Sequence, residues 1–159
     1  MGFLVWLESL PLSIWVHESV SVWAQPTVLT FHTMGMGVLV GASWILDMRL
    51  LGIGKNVPLS AFRWVFRAVA ISLLVNVVTG VLLFAGRATL WGTAFPFLIK
   101  MFCVVIAAAT LLPLRSYVLA DAEQTEVSSR ARWLAIVSIL AWSGAITAGR
   151  LLAYVVAGA

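Results

Sequence analysis

Three ionisable residues, His32, Lys100 and Arg150, lie inside long apolar stretches of this chain. A charge or a titratable ring at hydrocarbon depth is costly, so each needs a partner, a cavity or a ligand. Their chemistries are complementary. An imidazole can ligate a transition metal or hydrogen-bond a carbonyl, whereas an ammonium or a guanidinium holds anions. Met34 and Met36 follow His32 closely, and thioether with imidazole suits Cu(I). Of these two, only Met36 shares a helical face with His32. His17, Glu18 and Tyr154 complete the set of candidates.

Four apolar spans must position these residues: about 26–46, 68–85, 96–114 and 133–156. Each is long enough, or nearly so, to cross ~30 Å of hydrocarbon at 1.5 Å per residue. A helix is the one open-ended element that crosses lipid with its backbone satisfied. Residues 3–25 are weaker: Trp6, Leu7, Leu10, Ile14, Trp15 and Trp23 alternate with Glu8, Ser13, His17 and Glu18. This pattern predicts an amphipathic helix along an interface, broken or bent at Pro11. Turn residues Gly52, Gly54, Asn56 and Pro58 close the first span, and Gly86 closes the second. Pro96 suits the first turn of the third span. The most polar stretch, Asp121 to Arg132, precedes the fourth.

Loop charge sets an expected orientation. Arg49, Lys55, Arg63 and Arg67 fall in the first loop, Arg115, Arg130 and Arg132 in the third, and Arg87 alone in the middle one. The positive-inside rule places the first and third loops in the cytoplasm. Both termini then face outward, to the periplasm for a bacterial inner membrane. His32, Lys100 and Arg150 come to one level, about 6–10 Å below the outer boundary. Each lies on a polar stripe of helical period: His32, Met36, Ser43 and Asp47; Ser72, Asn76, Thr79 and Arg87; Lys100, Cys103, Ala107 and Thr110; Ser143, Thr147, Arg150 and Tyr154. Such stripes normally face the bundle interior, and Gly37, Gly41 and Gly80 are expected to let backbones approach. The expected fold is an all-α integral membrane protein, a single domain over 1–159. It is a four-helix bundle with an outward-facing, anion-friendly pocket, in which Glu18 could neutralise Lys100 or Arg150.

Composition bounds the alternatives. Of 159 residues, 62% are hydrophobic and only 10% charged, against about a quarter charged in a soluble domain. The eight tryptophans suit two membrane interfaces. The net charge of +4 is spread over short loops without a run, which argues for topology and against nucleic acid. Cys103, the lone cysteine, excludes an internal disulfide and a CxxC motif. Residues 1–10 carry no Lys or Arg, so no cleaved signal peptide is expected. No Gly-rich phosphate loop or His-Glu-x-x-His motif is present, so an enzyme on its own is not expected.

The segments Leu29-Thr-Phe-His32-Thr-Met-Gly-Met, Leu46-Asp-Met-Arg-Leu-Leu-Gly52 and Gly149-Arg-Leu-Leu-Ala-Tyr154, in this order, resemble an uncharacterised bacterial family of four-helix inner-membrane proteins. More distantly the chain resembles copper-resistance D domains and four-helix b-type cytochromes, which hold haem between helix histidines. His32 matches such a helix-borne histidine, but the other three spans contain no second one; His17 is the only other histidine. Three expectations follow. In the first, an electron-transfer-associated subunit binds haem b or a quinone through His32, with Lys100 and Arg150 holding an anionic group and His17 as the remaining axial candidate. In the second, His32 and Met36 handle copper, against the repulsion of two nearby cations. In the third, the bundle is a structural subunit or homo-oligomer docked to other membrane proteins.

Overall fold

The computed structural model describes residues 2–120 and 127–157, with side chains to residue 154, so 121–126 of the polar loop lie outside the described residues. Seven α-helices follow one another: α1 (Gly2–Glu8), α2 (Pro11–Glu18), α3 (Gln25–Leu50), α4 (Arg63–Ala85), α5 (Ala88–Gly92), α6 (Phe95–Ala120) and α7 (Ser129–Ala157). A 3-10 turn, Leu59–Phe62, leads into α4. Four segments are long and apolar enough to cross a membrane: Gln25–Leu50, Leu59–Ala85, Phe95–Ala120 and Ser129–Tyr154. The chain is a multi-pass membrane protein. The helices run past the apolar stretches read from sequence: α4 starts five residues earlier and α6 continues through Pro113 for another seven. Hydrogen bonding, not hydropathy, ends a helix, so arginines at a span's edge join its last turns.

Residues 2–18 form two short helices, with the break just before Pro11. Pro11 stands in the first turn of α2, where its missing N–H leaves no intrahelical bond unmade. Ser13 Oγ donates to the Leu7 carbonyl at 2.8 Å and ties α2 back to α1. Val16 and Ser13 are buried, while Phe3, Trp6, Trp15 and Trp23 stay exposed.

The bundle is two helical hairpins, α3–α4 and α6–α7, joined chiefly where α3 meets α7. Close approaches fix their registers. A methyl on Gly35 would sit 2.6 Å from Asn76 Nδ2, and one on Gly80 3.2 Å from His32 Cε1. In the second hairpin Gly144 faces Cys103, with Sγ 2.9 Å from a would-be methyl, and Gly149 faces Lys100. Gly37 and Gly41 do otherwise than expected: both are exposed apart from Gly37's and Gly41's own helix, with nothing within 4 Å of an added methyl. Gly35, one position off that pair, carries the close contact.

Packing is uneven along the bundle. One end, here the arginine end, carries Arg49, Arg63, Arg67, Arg115, Arg130 and Arg132; the other carries α1, α2 and α5 and is the short-helix end. The continuous apolar core lies toward the arginine end: Leu39, Leu46, Leu50, Val65, Leu114 and Trp142 are among its buried members. Toward the short-helix end, α3 buries no residue before Gly35 and α6 none before Ala107. The facing surfaces of the two hairpins are only partly covered there, and this groove between them is the cleft.

The arginine end is also tied covalently short. Gly52 (φ +106°) and Gly54 (φ +71°) adopt left-handed backbone that a side chain would strain. Arg49 folds into that turn, 2% exposed. Its Nε donates to the Val57 carbonyl at 2.7 Å and its Nη2 to the Lys55 carbonyl at 3.0 Å.

Candidate functional site

His32 sits in the cleft, half-buried, between α3 and α4. Its Nδ1 lies 2.9 Å from Thr79 Oγ1. The Thr79 hydroxyl proton is already given to the Val75 carbonyl at 2.6 Å. Thr79 Oγ1 therefore accepts, and His32 Nδ1–H donates. The Asn76 carbonyl stands beside the ring and takes the same proton's attraction. This arrangement fixes the tautomer and leaves Nε2 with a bare lone pair. A second group that holds one ring nitrogen is the usual way to aim the other at a ligand.

Lys100 approaches from α6. Its side chain runs over Gly149, whose would-be methyl lies 3.8 Å from Nζ, and its charge is felt at His32. Ser138 of α7 lies within reach of the Asp47 carboxyl of α3. Counting back along α7 and α3 from that pair puts Lys100 level with Met36, one turn (about 6 Å) from His32. An acceptor nitrogen on the first hairpin and an ammonium on the second thus lie about one turn apart along the bundle.

The other candidates do not join them. Arg150 and Tyr154 are exposed on α7. The stripe Ser143, Thr147, Arg150 and Tyr154 keeps its helical spacing but points away from the interior, and α7 instead turns inward Ala135, Ser138, Trp142, Ala145 and Ala148. Thr147 and Ser143 satisfy their hydroxyls on the Ser143 and Ile139 carbonyls, as the buried Ser43 and Ser72 do on their own helices, so the hydroxyls do not set the inward face and the small alanine face is the one that packs. The stripes of α3, α4 and α6 do turn inward: Ser43, Asp47, Ser72, Asn76, Thr79, Ala107 and Thr110 are buried. Met34 is exposed and Met36 packs against the apolar core, so thioethers and imidazole do not converge. Among the described residues, no three His, Cys, Asp or Glu side chains gather as a metal site.

His17 and Glu18 belong to a separate cup at the short-helix end. It has a volume near 350 Å³ and is lined by Glu8, Ser13, His17, Glu18, Arg87 and Thr89, with others. Arg87 Nε donates to His17 Nε2 at 3.1 Å. That nitrogen is engaged and faces the cup, not His32, which removes it as a second axial ligand opposite His32. Glu18 lines the cup and makes no ion pair with Lys100 or Arg150 among the described residues.

One contact escaped the sequence reading. Glu8 Oε1 accepts from both the Thr89 amide and the Thr89 hydroxyl, each at 2.8 Å. The Thr89 backbone and side-chain bonds hold its carboxyl below the usual carboxylate range. Eighty-one residues separate the partners, and no local pattern announces such a contact. Asp47, which the His32 stripe places on an inward face, is fully buried. Comparison with family models, with curated proteins and with solved structures finds no match.

Proposed function

We propose that this chain is an accessory membrane subunit that binds a quinone-class molecule, drawn from the bilayer, in the cleft between its two hairpins. The observation that carries this reading is the His32 ring, held at Nδ1 by Thr79 with Nε2 free, facing Lys100. A quinol hydroxyl would donate to Nε2, and Lys100 would donate to a quinone carbonyl. The cleft favours a lipid-soluble ligand because its rims are exposed apolar side chains, Phe31, Leu98 and Phe102 among them. Haem b is the less supported cofactor, since His32 has no histidine facing it across the cleft and His17 is bound to Arg87.

The arginine distribution supports an orientation with the arginine end in the cytoplasm. In a bacterial inner membrane the cleft would then open in the outer half of the bilayer. Both termini and the exposed tryptophans Trp6, Trp15 and Trp23 would lie at the outer interface.

Binding of ubiquinone and menaquinone to the purified full chain in nanodiscs tests the proposal. Wild type is expected to bind one of them, and His32→Ala and Lys100→Ala each to weaken that binding by about tenfold, the worth of one charge-assisted or well-placed hydrogen bond. Equal binding by all three proteins would sink it. An absorption spectrum of the same samples decides the cofactor: a Soret band lost in His32→Ala would replace quinone by haem.

A further inference from the structure

Asp47 is the most anomalous group in the bundle. It is 1% exposed, and Oδ2 has no hydrogen-bond partner. Ser138, 0% exposed, faces it from α7, yet its Oγ also closes no hydrogen bond of good geometry. The charged groups around it do not neutralise it. Arg49, on the same helix, gives Nε and Nη2 to the Val57 and Lys55 carbonyls, and its buried Nη1 closes no hydrogen bond with Asp47 either. Lys55, Arg63 and Arg67 are exposed, and α7 presents the uncharged Ser138. A buried carboxyl oxygen with no donor against it is a place that can take up and release a proton.

Asp47 does not stand alone. Gly35 against Asn76 and Gly80 against His32 set α3 and α4 in antiparallel register. In that register the buried polar side chains follow one another at single-turn steps: His32 with Thr79, then Asn76, then Ser72, then Ser43, then Asp47. Each step is about 4.5–6 Å along the axis. Two hydrogen bonds of about 2.8 Å through one water span such a step. Asn76 Oδ1 is buried and without a partner, so it too has an acceptor to offer. Ser43, Ser72 and Thr79 give their protons to carbonyls of their own helices but keep lone pairs, and hydroxyls rotate. From His32 to Asp47 the file covers fifteen residues of α3, about 22 Å, against the ~30 Å of a hydrocarbon core. Its far end opens into the cleft and its near end lies one turn from Leu50, where α3 stops.

We propose that this file is a proton pathway across the membrane, with Asp47 and Ser138 as the proton-holding site at one end and His32 as the group that exchanges protons at the other. In one full passage each group takes a proton on one side and gives one up on the other, and the hydroxyls then turn back to their starting hydrogen bonds, so no oxidant or reductant is consumed. The pathway does not depend on what His32 binds.

The test is proton flux in liposomes that contain the full-length protein, an internal pH-sensitive dye and no quinone. Potassium with valinomycin supplies the driving potential. Wild type is expected to move protons faster than protein-free liposomes. Asp47→Asn and His32→Ala should fall to the protein-free rate, and Asp47→Glu should keep a measurable flux. Ser43→Ala removes one hydroxyl and no charge; it should slow the flux several-fold with helicity unchanged, which separates a broken pathway from a misfolded chain. Wild-type flux no greater than in protein-free liposomes, or full flux in Asp47→Asn, His32→Ala or Ser43→Ala, overturns the pathway. Quinone binding is read in a separate assay, so either idea can fail alone.

Discussion

The two halves of the bundle are built from similar residues and behave as different materials. Toward the arginine end, leucines, valines and Trp142 interlock around buried polar groups, and a single arginine ties the connecting turn. Toward the short-helix end, the same two hairpins leave His32 and Lys100 half-covered. The difference teaches where each half's binding energy goes. In lipid there is little hydrophobic gain from bringing helices together, so packing and hydrogen bonds hold the dense half.

The contrast is broken most severely by Trp142→Ala, which removes the largest fully buried side chain. It should cost about 3–5 kcal/mol in denaturant unfolding, whereas Leu29→Ala and Leu98→Ala, on exposed faces of the open half, should stay within about 0.5 kcal/mol. If all three variants unfold alike, the halves do not differ. Arg49→Ala comes next. Two charge-assisted bonds close the turn, each worth about 1.5–3 kcal/mol, so a loss near 3 kcal/mol is expected, with proteolysis appearing first between residues 51 and 58.

How much of this was legible in the sequence follows from range. The four spans rest on runs of apolar residues, which any reading finds. The inward stripes of α3, α4 and α6 rest on a period that the helix itself imposes. The stripe of α7 was misread because polarity alone does not choose the inward face: hydroxyls bond to their own helix on buried and exposed faces alike, and the neighbours' shapes decide. Arg49 was counted as a topological charge, which it still is by position, but its structural part depends on two glycines at positive φ. His32 and Lys100 were found as oddities of composition. Their partners, Thr79 and Gly149, come from the registers of the hairpins, which a single sequence does not specify.

Gly35→Ala sharpens the comparison at the boundary between the halves. Asn76 Nδ2 must move from 2.6 Å, and overpacking of this kind costs about 1–3 kcal/mol. Gly41→Ala meets nothing within 4 Å and should be neutral or stabilising by about 0.4–1 kcal/mol. Equal effects at the two positions would mean that the α3–α4 register is different. The smallest effect belongs to Glu8, whose carboxyl is held below the ordinary value by Thr89. A lowered value in the folded chain means that the contact stabilises α1 above the ordinary carboxylate pKa and is lost as pH falls through the lowered one. Acid titration of tryptophan fluorescence should show a step in that window, and Glu8→Gln should abolish it.

The Arg49 turn also bears on how the protein is made. Its two hydrogen bonds reach only six and eight residues along the chain. No later segment is needed to close them. The first hairpin can therefore be complete, turn and all, while α6 and α7 are still being synthesised, and α7 then docks onto a finished surface of α3. A chain assembled in that order inserts as two successive units, and an error in the second leaves the first intact.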